Sequence, residues 1–171
     1  MSGVITKIAD ATKGRFYIKD YSGETYVYNM ANFASLGLKV GDIITIVGKR
    51  GQYNTTIEVL NAVKESSYTV TPISIADVLT KADNANVYYM VTGTIKSIAN
   101  VAYGNMTLQD ATGEIYLYGC YPGYGATGDA RKGLVDALGL KVGDTVTVIA
   151  TKGSHLGSPQ LSNGFYFTPT L

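Results

Sequence analysis

The stretch SGVITKIADATKGRFYIKDYSGETYVYNM, residues 2–30, aligns without a gap with residues 92–120, TGTIKSIANVAYGNMTLQDATGEIYLYGC. Ten of the 29 aligned positions are identical at a constant offset of 90. The string LGLKVGD then occurs twice, at 36–42 and at 138–144, where the offset has grown to 102. A duplication of this length predicts two copies of one small domain, so any function must suit the copied unit.

Length and composition agree with two small globular domains. The 171 residues are 46% hydrophobic and 16% charged, which is typical of folded chains. We expect a first domain over 1–66, a linker with a short helix over 67–86, and a second domain over 87–171. Only two residues precede the first glycine of copy 1, whereas copy 2 has an apolar lead-in over 87–91. The first strand is therefore expected to be truncated, as in a fragment of a longer chain.

Charge and cysteine content exclude several classes of protein. Residues 1–66 carry a net charge of +2 and residues 67–171 a net charge of −1, so neither half has the basic excess of a duplex-DNA-binding domain. The single cysteine, Cys120, excludes an internal disulfide and a cysteine-based metal site. No apolar run is long enough to span a bilayer. No metal or cofactor is expected.

Hydrophobic alternation predicts five strands in each copy. In copy 1, Phe16 and Ile18 alternate with polar or aromatic neighbours, and D-x-[ST]-G forms a tight turn after them. A short helix is predicted over 30–36, and a glycine-containing loop over 50–54 separates strands four and five. Copy 2 adds a 12-residue insertion with a helix predicted at about 129–138. The pattern indicates an all-β fold of two five-stranded Greek-key barrels, each with a short helix between strands three and four.

Three motifs carry a family resemblance. The pattern V-x-G-x-I, then D-x-[ST]-G, then V-G-D-x-[IV]-T-[IV] resembles the OB-fold family that includes the anticodon-binding and single-strand-binding domains. With the I-S-I-A-D-V-L segment and the many tyrosines, the chain is similar to tandem OB modules in surface lipoproteins of the Bacteroidetes. That resemblance covers nearly the whole chain and implies an extracytoplasmic, cell-surface location.

Catalytic groups are scarce, so a non-enzymatic role is expected. His155 is the only histidine, which leaves no base for a triad and no histidine pair for a metal. Cys120 has no basic neighbours in sequence and aligns with Met30, as a core residue would. The recurring aspartates, Asp20/Asp110 and Asp42/Asp144, stand beside turn glycines, which favours turn formation over acid–base chemistry.

The outer face of strands two and three in copy 1 is the first candidate site. It interleaves cations with rings, as surfaces that bind single strands do, because cations follow phosphates while bases stack on rings. The loop over 50–54 is expected to add a further cation and ring at the rim. The candidate residues of copy 1 are Arg15, Tyr17, Lys19, Tyr26, Tyr28, Arg50 and Tyr53.

Copy 2 keeps the rings and loses the charges. Arg15, Tyr17 and Lys19 are replaced by Asn105, Thr107 and Gln109. A neutral surface of tyrosines and amides suits a sugar, whose ring faces stack on aromatics, or a partner protein. The candidate residues of copy 2 are Tyr103, Tyr116, Tyr118 and Tyr124.

Three functions remain open. The first is binding of single-stranded nucleic acid, chiefly by copy 1, and the second is extracytoplasmic recognition of an oligosaccharide or a partner protein. In the third, the barrels act as a scaffold or spacer beside further domains of a longer chain. The tyrosines would then only cover the barrels or the contact between them, because tyrosine is a common strand residue in any sheet.

Overall fold

A computed structural model describes all 171 residues, and the chain divides into two compact units. The first unit comprises Met1–Thr69 together with Thr168–Leu171, and the second comprises Val70–Phe167. The first unit contains β1 (Ser2–Asp10), β2 (Arg15–Asp20), β3 (Gly23–Tyr28), a 3-10 turn (Phe33–Leu36), β4 (Ile43–Tyr53) and β5 (Thr56–Tyr68).

The second unit contains β6 (Thr71–Pro72), α1 (Ile75–Leu79), β7 (Asn84–Asn100), β8 (Asn105–Gln109), β9 (Glu114–Leu117), a 3-10 turn (Gly128–Arg131), α2 (Leu134–Leu138), β10 (Thr145–His155) and β11 (Ser158–Tyr166). Neither helix is long enough to cross a membrane.

Both units are closed five-stranded barrels, as the sequence predicts. In the first, the strands neighbour one another in the order β1-β2-β3-β5-β4, and β1 pairs with β4 to close the barrel. In the second, the order β7-β8-β9-β11-β10 closes through β7 and β10. The third and fifth strands of each barrel run parallel, and their neighbours run antiparallel. Equal strand order in both units is what a duplicated domain requires.

Alternation along the strands separates core from surface. Phe16 and Ile18 of β2 are fully buried, and the Phe16 ring stacks on Phe33 with centroids 4.7 Å apart. The 3-10 turn thus closes one end of the first barrel with an apolar ring. It is shorter than the helix predicted over 30–36 because Asn32 has a left-handed backbone, φ +60°.

Turn chemistry at the recurring aspartates is confirmed. One carboxylate oxygen of Asp20 accepts hydrogen bonds from the backbone N–H groups of Ser22 and Gly23 at 2.8 and 3.2 Å. Asp42 accepts from the backbone N–H of Lys39 at 3.0 Å, and Asp144 accepts from that of Lys141 at the same distance. These carboxylates are committed to local backbone donors.

One predicted element is wrong, and another is confirmed but shorter than predicted. Residues 50–53 belong to β4 and not to a loop, because β4 and β5 remain paired up to Tyr53 opposite Thr56. Gly51 is no loop signal here, since a Cβ at this position would lie 2.5 Å from the Leu60 side chain that crosses it. The helix predicted over 129–138 is divided into a 3-10 turn and α2, because Gly133 adopts a left-handed φ of +84° between them.

Candidate functional site

Three tyrosines form a continuous row on the outer face of the first barrel. Tyr17 of β2 pairs with Tyr26 of β3, and their ring centroids are 5.0 Å apart. Tyr26 and Tyr28 lie on the same face of β3, with centroids 6.4 Å apart. All three side chains are half-buried, and none enters the core. The predicted orientation of these rings is confirmed.

Arg15 stands over one end of this row. Its guanidinium carbon lies 4.5 Å from the Tyr28 ring centroid, and its Nη2 donates to the Tyr28 hydroxyl at 3.1 Å. Its Nε donates to the side-chain oxygen of Asn29 at 2.8 Å. Three contacts hold this guanidinium in one position, so the side chain loses little conformational entropy when it binds an anion.

Cations also flank the other end of the row. Lys19 is half-buried on the face of Tyr17 and forms no ion pair. Lys7 of β1 pairs in register with Tyr17, and its Nζ lies 5.9 Å from that ring centroid. The sequence interpretation missed Lys7, because regular alternation would place it on the same face as the core residue Ile5. A register shift between Ile5 and Lys7 turns Lys7 outward instead.

The β4–β5 hairpin adds a wall to this surface. Tyr53 is 71% exposed, and together with Tyr26, Tyr28 and Glu58 it lines a cavity of about 430 Å³. On β5, Glu58 pairs with both Tyr26 and Gly51, so these positions share one face of the sheet. The ring predicted at the rim therefore belongs to a groove that the hairpin forms with the sheet.

Arg50 lies elsewhere. It pairs with Val59, whose side chain packs against the core, and adjacent strand residues face opposite sides. Arg50 consequently lines a second cavity, of about 270 Å³, with Met1, Ile57 and neighbouring residues. Lys49 is the hairpin cation that shares the outer face, since its partner on β5 is Leu60, which also pairs with Tyr28.

Glu58 is a site residue that the sequence interpretation missed. It is only 8% exposed, and its carboxylate forms no ion pair. Burial raises the pKa of the neighbouring Tyr26, and the charge of Glu58 raises it further, while Arg15 opposes the rise. Tyr26 therefore keeps its proton at neutral pH and remains a hydrogen-bond donor. A lone glutamate in a strand gives no sequence signal of this kind.

Glu24 and its counterpart Glu114 lie on the outer faces of the two barrels, and both carboxylates have partners within the protein. The Glu24 side chain accepts a hydrogen bond from the Thr6 hydroxyl at 2.6 Å and another from Thr170. Glu114, its counterpart in the second barrel, pairs with Lys96. Partners at both positions reduce the repulsion that these carboxylates would exert on an anionic ligand.

In the second barrel, a cation lies beside the tyrosines although the positions aligned with Arg15 and Lys19 are uncharged. Arg131, from the 12-residue insertion, lies 4.7 Å from the Tyr103 ring centroid and 5.3 Å from that of Tyr118. Lys132 also approaches Tyr103, at 5.4 Å. The expected neutral surface is therefore wrong around Tyr103 and Tyr118, because a distant segment returns positive charge to them. Tyr116 is half-buried, and Tyr118 is 48% exposed.

Tyr124 lies in a different place. Its ring meets Phe165 edge-on at 5.9 Å, and it lines a cavity of about 270 Å³ whose walls include neither Tyr116 nor Tyr118. The remaining walls of this cavity are Tyr88, Tyr121, Gly123, Gly125, Ala126, Thr127, Asn163 and Phe165. None of the lining residues is charged.

Cys120, the potential nucleophile, and His155, the potential base, do not line the cavities around Tyr26 and Tyr124. Cys120 is 1% exposed, and burial raises the pKa of its thiol to about 12. His155 is exposed at the end of β10. The structure contains no group of three or more His, Cys, Asp or Glu side chains placed to hold a metal ion.

Comparison with known proteins gives only distant likenesses. No family model matches the chain, and no curated protein matches it, so the expected similarity to surface lipoproteins stays a prediction. Similar solved structures include a murine DNA-binding protein bound to double-stranded DNA, with 12% identity, a TM-score of 0.44, and coverage of 99% of this chain and 98% of that chain. Another is p202 HIN1 in complex with a 12-mer of double-stranded DNA, with 12% identity, a TM-score of 0.41, and coverage of 97% and 90%.

The tetrameric p202 HIN2 structure is similar to the same degree, with 12% identity, a TM-score of 0.40, and coverage of 99% of this chain and 93% of that chain. At this identity and these TM-scores, the likeness carries no evidence about what the present chain binds.

Proposed function

We propose that this chain is a non-catalytic binding module whose first barrel takes single-stranded nucleic acid on its outer face. The observation that carries the proposal is the half-exposed row of Tyr17, Tyr26 and Tyr28 with Arg15 at one end and Lys19 at the other. Bases stack on such rings while phosphates follow the cations.

The spacing of the rings supports single strands over duplexes. The rings of Tyr17, Tyr26 and Tyr28 stand 5.0 and 6.4 Å apart, and stacking on them requires bases that are free to unstack from a helix. Stacking contributes about 1–3 kcal/mol per base, so two or three bases would give micromolar affinity at low salt. The first unit's charge of +2 over residues 1–66 is too small to hold a duplex by phosphate contacts alone.

Fluorescence anisotropy of a labelled oligonucleotide of about eight residues tests the proposal, because one OB barrel covers about 4–16 nucleotides. We expect Tyr26→Ala to weaken binding by about tenfold or more, and Lys19→Ala to lower both the affinity and its dependence on salt. Tyr118→Ala is the matched control in the second barrel and should leave the affinity nearly unchanged. Preference for a duplex of the same sequence, or no binding at low salt, would contradict the proposal.

A second candidate function, recognition of an oligosaccharide, is favoured by the uncharged cavity around Tyr124. Aromatic faces beside Thr127 and Asn163 match the alternation of apolar ring faces and hydroxyls in a sugar. This function would be supported by binding to a neutral glycan whose affinity does not depend on salt. Tyr124→Ala should abolish that binding and Tyr26→Ala should not. No binding to any glycan on a broad array would contradict this second function.

A further inference from the structure

The groove of the first barrel holds a carboxylate whose position the fold does not explain. Glu58 is 8% exposed and lies on the face that Tyr26, Tyr28 and Tyr53 enclose. Its carboxylate forms no ion pair within 4.0 Å and no hydrogen bond, although Arg50 shares a neighbouring cavity with it. Since no protein group donates to it, this carboxylate keeps its acceptor capacity for water or for a ligand in the cavity.

Space is left in front of this carboxylate. Its cross-strand partner on β4 is Gly51, which adds no side chain of its own and over which the Leu60 side chain packs. The cavity that Glu58 lines with Tyr26, Tyr28 and Tyr53 has a volume of about 430 Å³, which is large enough for a nucleobase. An acceptor-only group in the wall of an aromatic cavity favours a flat ligand that presents hydrogen-bond donors along one edge.

Among the nucleobases, guanine fits this requirement best. Its N1–H and N2–H2 groups are adjacent donors on the Watson–Crick edge, so they can meet both oxygens of one carboxylate. Adenine and cytosine place a single amino group beside an acceptor ring nitrogen, which the carboxylate repels. Thymine flanks its one N–H with two carbonyl oxygens.

We infer that the cavity between Tyr26, Tyr28, Tyr53 and Glu58 is a guanine-selective base pocket, an inference that rests on the proposed function of the first barrel. The guanine edge would meet Glu58, and its faces would stack against the tyrosines. Lys49, on the same face of the hairpin, would lie beside the backbone of the bound strand. The pocket would give a preferred base to a surface that otherwise binds any sequence.

Changes in the ligand test this inference without changing the protein. An oligothymidine of about eight residues with one central guanosine is compared with the same strand carrying thymidine or inosine there. Inosine keeps N1–H and loses the N2 amino group. We expect the guanosine strand to bind about tenfold more tightly than either, because a good bidentate contact discriminates by about that factor.

Two variants complete the test. Glu58→Gln keeps the size of the side chain but offers only one acceptor oxygen, so it should remove the guanosine preference while preserving affinity for the all-thymidine strand. Tyr53→Ala, at an exposed position that should not affect folding, should weaken the guanosine strand more than the all-thymidine strand.

The outcomes separate the two proposals. Equal affinity for the guanosine and inosine strands would overturn the guanine pocket and leave single-strand binding standing. No binding to any strand would overturn both. Uniform affinity for all strands together with tight binding of tetramethylammonium would overturn the guanine pocket in favour of a cation pocket of rings and a carboxylate.

Discussion

The two barrels place an arginine over the same tyrosine by different routes. In the first, Arg15 comes from β2 and covers Tyr28, and in the second, Arg131 comes from the insertion and covers Tyr118, the position aligned with Tyr28. Asn105 replaces Arg15 in the alignment, so the guanidinium was lost from the strand and regained from a loop. The outer face of the sheet thus retains a pairing of cation and ring even where the repeat has diverged.

The consequence differs between the barrels. The Nε and Nη2 of Arg15 donate to Asn29 and Tyr28, whereas the Nε of Arg131 is buried without a hydrogen-bond partner. Gly119 stands where the first barrel has Asn29, and a Cβ there would lie 2.8 Å from the Arg131 guanidinium. The second barrel therefore uses Tyr103 and Tyr118 to hold its own insertion, whereas in the first barrel the cation over Tyr28 comes from the adjacent strand β2.

The largest expected difference between the barrels concerns equivalent glycines. Gly14 and Gly104 both have left-handed backbones, with φ of +65° and +71°. A Cβ on Gly14 would lie 2.0 Å from the backbone oxygen of Met30, but one on Gly104 would lie 3.2 Å from Cys120. We expect Gly14→Ala to lower the free energy of unfolding by about 3 kcal/mol or more, and Gly104→Ala by about 1–2 kcal/mol.

Chemical denaturation followed by hydrogen exchange measures each barrel separately, because peptides from Met1–Thr69 and Val70–Phe167 report on different units. Equal losses for the two glycine variants would show that strain of the left-handed backbone, and not the close approach to Met30, controls both sites.

A smaller difference is expected at the paired aspartates. Asp110 binds its turn as Asp20 does, and its second oxygen also accepts from the backbone N–H of Ile75 at the start of α1, at 2.9 Å. Asp110→Ala should therefore lower the free energy of unfolding of its barrel by about 2 kcal/mol, compared with about 1 kcal/mol for Asp20→Ala. Similar losses in thermal unfolding would contradict a second role for Asp110 at α1.

The pH dependence of Asp110 has a definite sign. Burial raises its pKa, but hydrogen bonds from Thr112, Ile75 and Gly113 outweigh this and leave the pKa below its ordinary value. As the pH falls, the unfolded chain takes up the proton first, so this contribution to stability is present above about pH 4 and is lost through the lower folded-state pKa. The Asp110→Asn variant should show a flatter decline of stability in acid than the wild type.

The smallest expected change in stability separates the two arginines. Arg131→Ala should loosen the insertion by about 1 kcal/mol, because it removes contacts with two rings. Hydrogen exchange should then accelerate over 120–133 and little elsewhere. Arg15→Ala should leave exchange almost unchanged and should instead weaken oligonucleotide binding. Faster exchange throughout the second barrel in Arg131→Ala would show that the insertion belongs to its folding core.

Prediction from sequence worked where a local rule controls the outcome. Alternation in β2 identified Phe16 and Ile18 as core and Tyr17 as surface, because residues next to each other in a strand face opposite sides. The D-x-[ST]-G turns followed from the ability of Asp20 to accept backbone N–H bonds two and three residues on. Prediction failed over 50–53, where Gly51 resembled a loop residue but serves close packing against Leu60.

The candidate site was predicted only in part, because local rules identify the outward residues of a strand but not their partners on other strands. Tyr26 and Tyr28 were found from their strand, but the face of Arg50 depended on the register of β4 against β5. Arg131 lies 13 positions after Tyr118, in a segment with no regular strand or helix pattern, so the sequence did not predict their contact. Glu58 gave no signal, because only the pairing of β3 with β5 places it beside the tyrosines.

From its residues alone, this chain determined a duplicated five-stranded barrel, because turn chemistry and alternation act between near neighbours and were copied with the repeat. Tertiary structure decided which side chains meet: it moved Arg50 away from the groove, brought Glu58 into it, and returned a cation to the second barrel from the insertion. Such contacts depend on strand register and on loops that close over distance, which the order of residues does not display.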